Sequence, residues 1–211
     1  MKCIIIGAGE FREKEIIKEK DDLLILCDAG YNNYLKLDNH NIEDIDLLIG
    51  DFDSLDRDSV KLSEKTKIIT LYPKKNDTDV LDACIYGLDK GYKDFHIYGC
   101  LGGRIEHSFA NIQILSYLKE KKANGLLIDN GKIIRILKNE SLYLSSKYNG
   151  YISIFSLIDE SKGVTLKNLK YELMNSTLKE SYPIGIDNEF INKESFIEVK
   201  NGKVLLIYNI F

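Results

Sequence analysis

The run Gly50-Asp51-Phe52-Asp53-Ser54 sets two carboxylates one residue apart, directly after the apolar stretch Leu47-Leu48-Ile49. A hard divalent cation such as Mg²⁺ takes one or two protein carboxylates and fills its other positions with water and phosphate oxygens, so a D-x-D on a loop at a strand end suits it. Taken alone, the same pair also reads as a solvated turn that caps the next helix. A second cluster, Lys74-Lys75-Asn76-Asp77-Thr78-Asp79, follows another apolar stretch, Lys67 to Leu71. Here Asp77 or Thr78 suits the N-cap of a helix, and Asp79 shares a helix face with Asp82. Asp79 offers a third carboxylate to the metal, and Lys74 or Lys75 would face the phosphates.

The third cluster is Gly99-Cys100-Leu101-Gly102-Gly103-Arg104-Ile105-Glu106-His107. Glycines at 102 and 103 let backbone N–H groups approach phosphate oxygens, and a helix starting here favours an anion at its N-terminus. Arg104 has the planar fork that grips a phosphate through two parallel bonds. Glu106 and His107 fall in the first helical turn, beside that anion. Asp28-Ala29-Gly30 and Gly7-Ala8-Gly9 each follow a further apolar run and extend the series more weakly. The whole set suits a metal and several phosphates. It offers no serine or cysteine nucleophile beside a base, and none of the His/Cys spacings of a zinc site.

The bulk of the chain excludes other classes. At 211 residues with a net charge of -4, it carries no overall basic footprint for nucleic acid. Its apolar runs fall far short of the roughly 20 residues of a membrane span, and Met1 to Gly7 reads as a first strand rather than a leader. The four cysteines, Cys3, Cys27, Cys84 and Cys100, are far apart and sit in apolar runs, which suits small core residues in a reducing cytoplasm.

The elements that must carry these clusters follow from periodicity. Short apolar runs at Cys3–Ile6, Leu23–Cys27, Ile45–Ile49, Lys67–Leu71 and Phe95–Tyr98 predict five strands. Val80, Leu81, Cys84 and Leu88 recur at helical spacing, as do Ile105, Phe109, Ile112 and Leu115. Strands alternating with helices predict a mostly parallel sheet flanked by helices, with ligands beyond the carboxyl ends of its strands. Near Lys122 to Gly125 the character changes. Leu126–Ile128, Ile133–Leu137, Tyr151–Leu157, Val164–Leu173, Phe196–Val199 and Val204–Tyr208, with turns at Asp129-Asn130-Gly131 and Asn201-Gly202, predict an antiparallel β-sandwich. The expected domains are therefore residues 1–122 and 123–211.

Asp28-Ala29-Gly30, Gly50 to Ser54, Lys75 to Asp79 and Gly99 to His107, in this order, resemble the thiamine pyrophosphokinase family. The likeness continues through Gly163-Val164-Thr165, Leu169-Lys170-Tyr171 and Gly185-Ile186-Asp187-Asn188-Glu189-Phe190. The resemblance implies a homodimer whose α/β domain binds Mg·ATP and whose second domain contributes to a thiamine site between subunits. It implies transfer of a pyrophosphoryl group from ATP to the thiamine hydroxyl, with release of AMP. It assigns catalytic roles to Asp51, Asp53, Asp79, Arg104, Glu106 and His107, of which Asp51, Asp53 and Asp79 hold Mg²⁺. It assigns binding roles to Asp28, Gly30, Lys75, Asn76, Thr78, Gly102, Gly103, Asp187 and Asn188. Asp79, Glu106 and His107 are the candidate bases. This chain has Glu106 where the family usually has Asp, and Asp187 where it usually has Ser. Those two changes keep open a pyrophosphokinase of the same fold for another small alcohol, such as a hydroxymethyl pterin.

Overall fold

The computed structural model describes residues 1–53, 60–71 and 78–210, and the chain divides into two compact units, Met1–Asn130 and Gly131–Phe211. Ser54, Lys74, Lys75, Asn76 and Asp77, named above for their chemistry, lie outside the described residues.

The first unit holds strands β1 (Cys3–Ile6), β2 (Leu23–Cys27), β3 (Leu47–Gly50), β4 (Lys67–Thr70), β5 (Asp94–Tyr98) and β6 (Asn124–Asp129), with helices α1 (Gly30–Tyr34), α2 (Asp79–Asp89) and α3 (Ile105–Glu120). Every pairing among these strands is parallel, in the order β6-β5-β1-β2-β3-β4. The central strands read Cys-Ile-Ile-Ile, Leu-Leu-Ile-Leu-Cys and Leu-Leu-Ile-Gly and are buried along nearly their whole length, as strands covered on both faces must be. Ile4, Ile6, Leu24, Leu26 and Leu48 share a core with Tyr31 and Tyr34 of α1 on one face. Helix α2 packs on β1, β2 and β3, and α3 packs on β6 and α2. The chain runs outward from β1 through β4 and then returns to the other side of β1 as β5. That reversal leaves a crevice at the carboxyl ends of β1 and β5, where open α/β sheets bind ligands.

Two details depart from the sequence reading. The run at 126–128, read as the start of the antiparallel part, pairs in parallel with β5 as β6. Gly125 makes this pairing compact: a Cβ there would lie 2.7 Å from both Leu115 and Leu118 of α3. The apolar repeat read along α3 is also not the face the helix buries. Leu115 is buried, but with Asn111, Ile114 and Leu118, while Ile105 is 82% and Phe109 63% exposed. The helix carries apolar residues on two faces, and contact with β6 selects one of them.

The second unit holds β7 (Lys132–Lys138), β8 (Ser141–Leu144), β9 (Tyr151–Ser156), β10 (Glu160–Lys167), β11 (Leu173–Lys179), β12 (Asn188–Glu189), β13 (Ser195–Glu198) and β14 (Lys203–Asn209). These form two antiparallel layers, β12-β9-β14-β7 and β11-β10-β13-β8. Ile152, Ile154, Val204 and Leu206 from one layer, and Leu144, Val164, Leu166 and Ile197 from the other, are buried. The stretch 164–173 is not a single strand. Asn168 takes φ 57, its Nδ2 donates to the Glu194 carbonyl at 2.8 Å, Leu169 makes only an isolated bridge to Phe190, and a regular strand resumes at Leu173. The unit is the β-sandwich that follows the parallel sheet. Among the described residues, no helix is long and apolar enough to cross a membrane.

Candidate active site

The carboxyl ends of β1, β2, β3 and β5 and the N-termini of α2 and α3 line a cleft of about 500 Å³ in the first unit. Asp28, Asp51, Thr78, Asp79, Gly102, Gly103, Arg104 and His107 all line it.

Three carboxylates converge there. The amide nitrogen of Asp28 donates to the Ile49 carbonyl at 2.9 Å, which sets the end of β2 beside the end of β3. Gly50 permits this approach, since a Cβ there would lie 3.0 Å from the Asp28 Cβ. Past Gly50, Phe52 turns at φ 59 and buries its ring in the core with Ile4, Ile6 and Leu48. That anchor folds the loop back, and the Asp53 amide donates to Asp51 Oδ1 at 3.2 Å. Asp28, itself at φ 48, then offers one carboxylate oxygen within 4.8 Å of one each from Asp51 and Asp53. Left-handed backbone at non-glycine residues is uncommon, and here it occurs at Asp28 of the cluster and at Phe52 between its other two members. Asp79 lines the same cleft from the first turn of α2, where Thr78 rather than Asp77 is the N-cap and its Oγ1 accepts from the Leu81 amide at 3.3 Å. Gly30 has a packing reason for its type: a Cβ there would lie 2.1 Å from the Ile6 carbonyl oxygen.

The opposite wall is made by two backbone loops. The Gly9 amide donates to the Gly99 carbonyl at 2.7 Å and the Glu10 amide to the Leu101 carbonyl at 3.1 Å, so 7–10 and 99–101 run together. Gly102 and Gly103 take φ 79 and 60 and lead into α3, whose N-cap residue, Arg104, makes no side-chain cap. Both α2 and α3 therefore present their N-terminal ends to the cleft, which favours an anion there. Arg104 Nε donates to Glu106 Oε1 at 2.7 Å, with both side chains largely exposed. The backbone N–H of Glu106 and the Arg104 guanidinium hold the Glu106 carboxyl below the usual carboxylate range.

Thiol chemistry is disfavoured. Cys27 and Cys100 line the cleft, but burial raises both thiols, Cys100 to about 12, so neither supplies a thiolate nucleophile near neutral pH.

Asp187 and Asn188 lie in the second unit. Asp187 takes φ 57, a conformation that Asp and Asn tolerate best among side-chain residues, and its amide donates to Ser153 Oγ at 3.2 Å. Asn188 is 5% exposed. Its Oδ1 accepts from the amides of Tyr171 and Glu189 at 2.9 Å each, and its Nδ2 donates to the Tyr171 carbonyl at 2.6 Å. It thus clamps the turn that carries the exposed Tyr171.

Two residues at the cleft were not singled out from the sequence, Asn33 and Asn111. Both are buried and hydrogen-bonded to its loops. The available signal was a polar amide at the buried position of an otherwise apolar helix face.

The profile described as the catalytic domain of thiamin pyrophosphokinase matches residues 15–127, and the one described as its vitamin B1 binding domain matches residues 133–205. The thiamine pyrophosphokinase of Bacillus subtilis (strain 168) is 26% identical over 161 residues, 75% of each chain. A crystal structure of thiamine pyrophosphokinase from Bacillus subtilis superposes at a TM-score of 0.85 with 24% identity, covering 100% of both chains. One of thiamin pyrophosphokinase from Geobacillus thermodenitrificans gives 0.83 with 21% identity, over 99% of this chain and 97% of that one. These superpositions establish the fold. With the two profiles spanning both units in order, the chain belongs to the thiamin pyrophosphokinase family.

Proposed function

We propose that this chain transfers the pyrophosphoryl group of Mg·ATP to the hydroxyl of thiamine, giving thiamine diphosphate and AMP. The observation that carries this reading is the convergence of Asp28, Asp51 and Asp53 at the reversal point of the parallel sheet, at a cleft that two helix N-termini also line.

The donor set suits Mg²⁺. Its atoms are all carboxylate oxygens, the hard ligands Mg²⁺ takes, and one from each residue lies within 4.8 Å of the others. Asp28, Asp51 and Asp53 would hold the ion, with Asp79 beside them. When bound, it offsets charge on the polyphosphate and polarises the phosphoryl group. The helix N-termini and Arg104 bind the remaining anionic oxygens, and the cleft walls hold the reactants in line. The thiamine hydroxyl oxygen bonds to the β-phosphorus. The bond from that phosphorus to the oxygen shared with the α-phosphate breaks, and AMP leaves with that oxygen. Of the three candidate bases for the hydroxyl proton, Glu106 is disfavoured, because a carboxylate held below its usual range is a weak acceptor. His107 and Asp79, which line the cleft, remain.

The reading extends to thiamine contacts in the second unit near Asp187 and Asn188, and to a homodimer. Exposed Tyr151, Tyr171, Met174, Tyr182, Ile184 and Ile186 give that unit apolar surface to cover. Four free, buried cysteines suit the cytoplasm. Incubation with MgCl₂, ATP and thiamine, followed by chromatography of the nucleotides, tests the chemistry. AMP and thiamine diphosphate are expected in equal amounts. ADP with thiamine monophosphate would replace this reading with ordinary kinase chemistry.

A further inference from the structure

Asn33 on α1 and Asn111 on α3 are 4% and 7% exposed, and neither carries charge. Asn33 Nδ2 donates to two carbonyls of one loop, Gly7 at 2.8 Å and Gly9 at 3.0 Å. Its Oδ1 accepts from Lys36 Nζ at 2.8 Å, which fixes the amide's orientation. Asn111 Nδ2 donates to the Cys100 carbonyl of the other loop at 2.6 Å. Each amide therefore holds a carbonyl that would otherwise be free to turn into an anion site and repel its occupant.

The peptide bonds here are trans, and in a trans peptide the N–H points opposite to the C=O. Pulling the Gly7 carbonyl toward Asn33 turns the Ala8 N–H the other way. Pulling the Cys100 carbonyl toward Asn111 does the same to the Leu101 N–H. Pulling the Gly9 carbonyl turns the Glu10 N–H, and its direction is seen directly, because it donates across to Leu101. Ala8 and Leu101 both line the cleft. Successive backbone N–H groups turned to one side form a concavity that binds anions.

We infer that Asn33 and Asn111 are positioning residues for the nucleotide: by holding the Gly7, Gly9 and Cys100 carbonyls back, they present the Ala8 and Leu101 N–H groups to the polyphosphate. This rests on the ATP-dependent reading above. It assigns the phosphate contacts to backbone groups on the wall opposite the carboxylates, so that the polyphosphate is gripped from both sides.

The direct test is an amide ¹H–¹⁵N titration of the full wild-type chain with magnesium tripolyphosphate. The Ala8 and Leu101 resonances should move. If other cleft amides such as Gly102 move while these two stay, the inference is overturned and the ATP reading stands. If no cleft amide moves and Mg·ATP does not bind, both fall. The second arm is kinetic. Asn33→Ala and Asn111→Ala should each raise KM for ATP about tenfold or more, with KM for thiamine and the inhibition constant of adenosine held within about twofold. A purely structural role would lower the melting temperature, leave the KM for ATP in place and overturn the inference. The titration needs no variant, so it decides the matter even if both substitutions prevent folding.

Discussion

Phe52 separates two carboxylates and buries its own ring in the core, which turns the loop that brings them together with Asp28. Hydrophobic burial fixes the loop, and the charge on either side of it converges with Asp28. Asp51→Asn or Asp53→Asn removes a charge the cluster needs while keeping size and shape. Either is expected to lower kcat/KM by about 10²-fold or more, a barrier increase of ~2.7 kcal/mol. Asp53 is exposed, so its substitution should leave the melting temperature in place. Activity within about tenfold of wild type would remove these residues from the site. At this scale the sequence was informative wherever chemistry has a spacing, as in Asp51-Phe52-Asp53 and Gly102-Gly103-Arg104. For Asn33 and Asn111 it offered only a polar amide on an otherwise apolar face, with nothing local to say which distant carbonyl each one serves. The Arg104–Glu106 bond was equally hidden, since it depends on rotamers rather than on sequence spacing.

Strands β1 and β2 were legible end to end, because runs such as Cys3–Ile6 and Leu23–Cys27 are too short and too uniformly apolar for an amphipathic helix. What joins their first residues was not. Asp22 is buried just ahead of β2. Its Oδ1 accepts from the Lys2 amide at 2.6 Å, its Oδ2 from the Glu19 amide at 3.0 Å, and the Lys2 ammonium lies 3.7 Å away. Burial alone would raise this carboxyl, but the two amides and the Lys2 charge outweigh it and hold it below its ordinary range. A carboxyl lowered in the folded state contributes stability above its unfolded pKa, about 3.9, and that contribution is lost as pH falls through the folded value. Asp22→Asn is therefore expected to cost about 1–3 kcal/mol near neutral pH. The loss should shrink as pH drops below about 4, where the unfolded wild type takes up its proton, and disappear once pH passes the lower folded value. Thermal unfolding at neutral pH and at the acid end measures both. Equal melting temperatures in the two proteins at neutral pH would show that Asp22 does not pin β2 to β1. The buried face of α3 was not legible for a different reason. Ile105 and Phe109 keep helical spacing with Ile112 and Leu115, and only the position of β6 decides which residues turn inward.

The two-part organisation of the whole molecule shows in the change from alternating strands and helices to strands alone. The strand order does not. Any of the apolar runs could sit beside any other, and the return of β5 to the far side of β1 is set by crossover geometry. Yet that return creates the crevice into which Gly7, Asp28, Asp51 and Gly99 all point their loops, so the site depends on a feature of topology that no motif records. The exposed, polar strand β11, Leu173–Lys179, was missed because its outer face carries little alternation. Which phosphorus is attacked separates pyrophosphoryl transfer from ordinary kinase chemistry. With ATP labelled at the β-phosphate, and with Mg²⁺ and thiamine present, attack at that position places the label in thiamine diphosphate and leaves the AMP unlabelled. Label retained in ADP, or no labelled thiamine product at all, would contradict pyrophosphoryl transfer by this cleft.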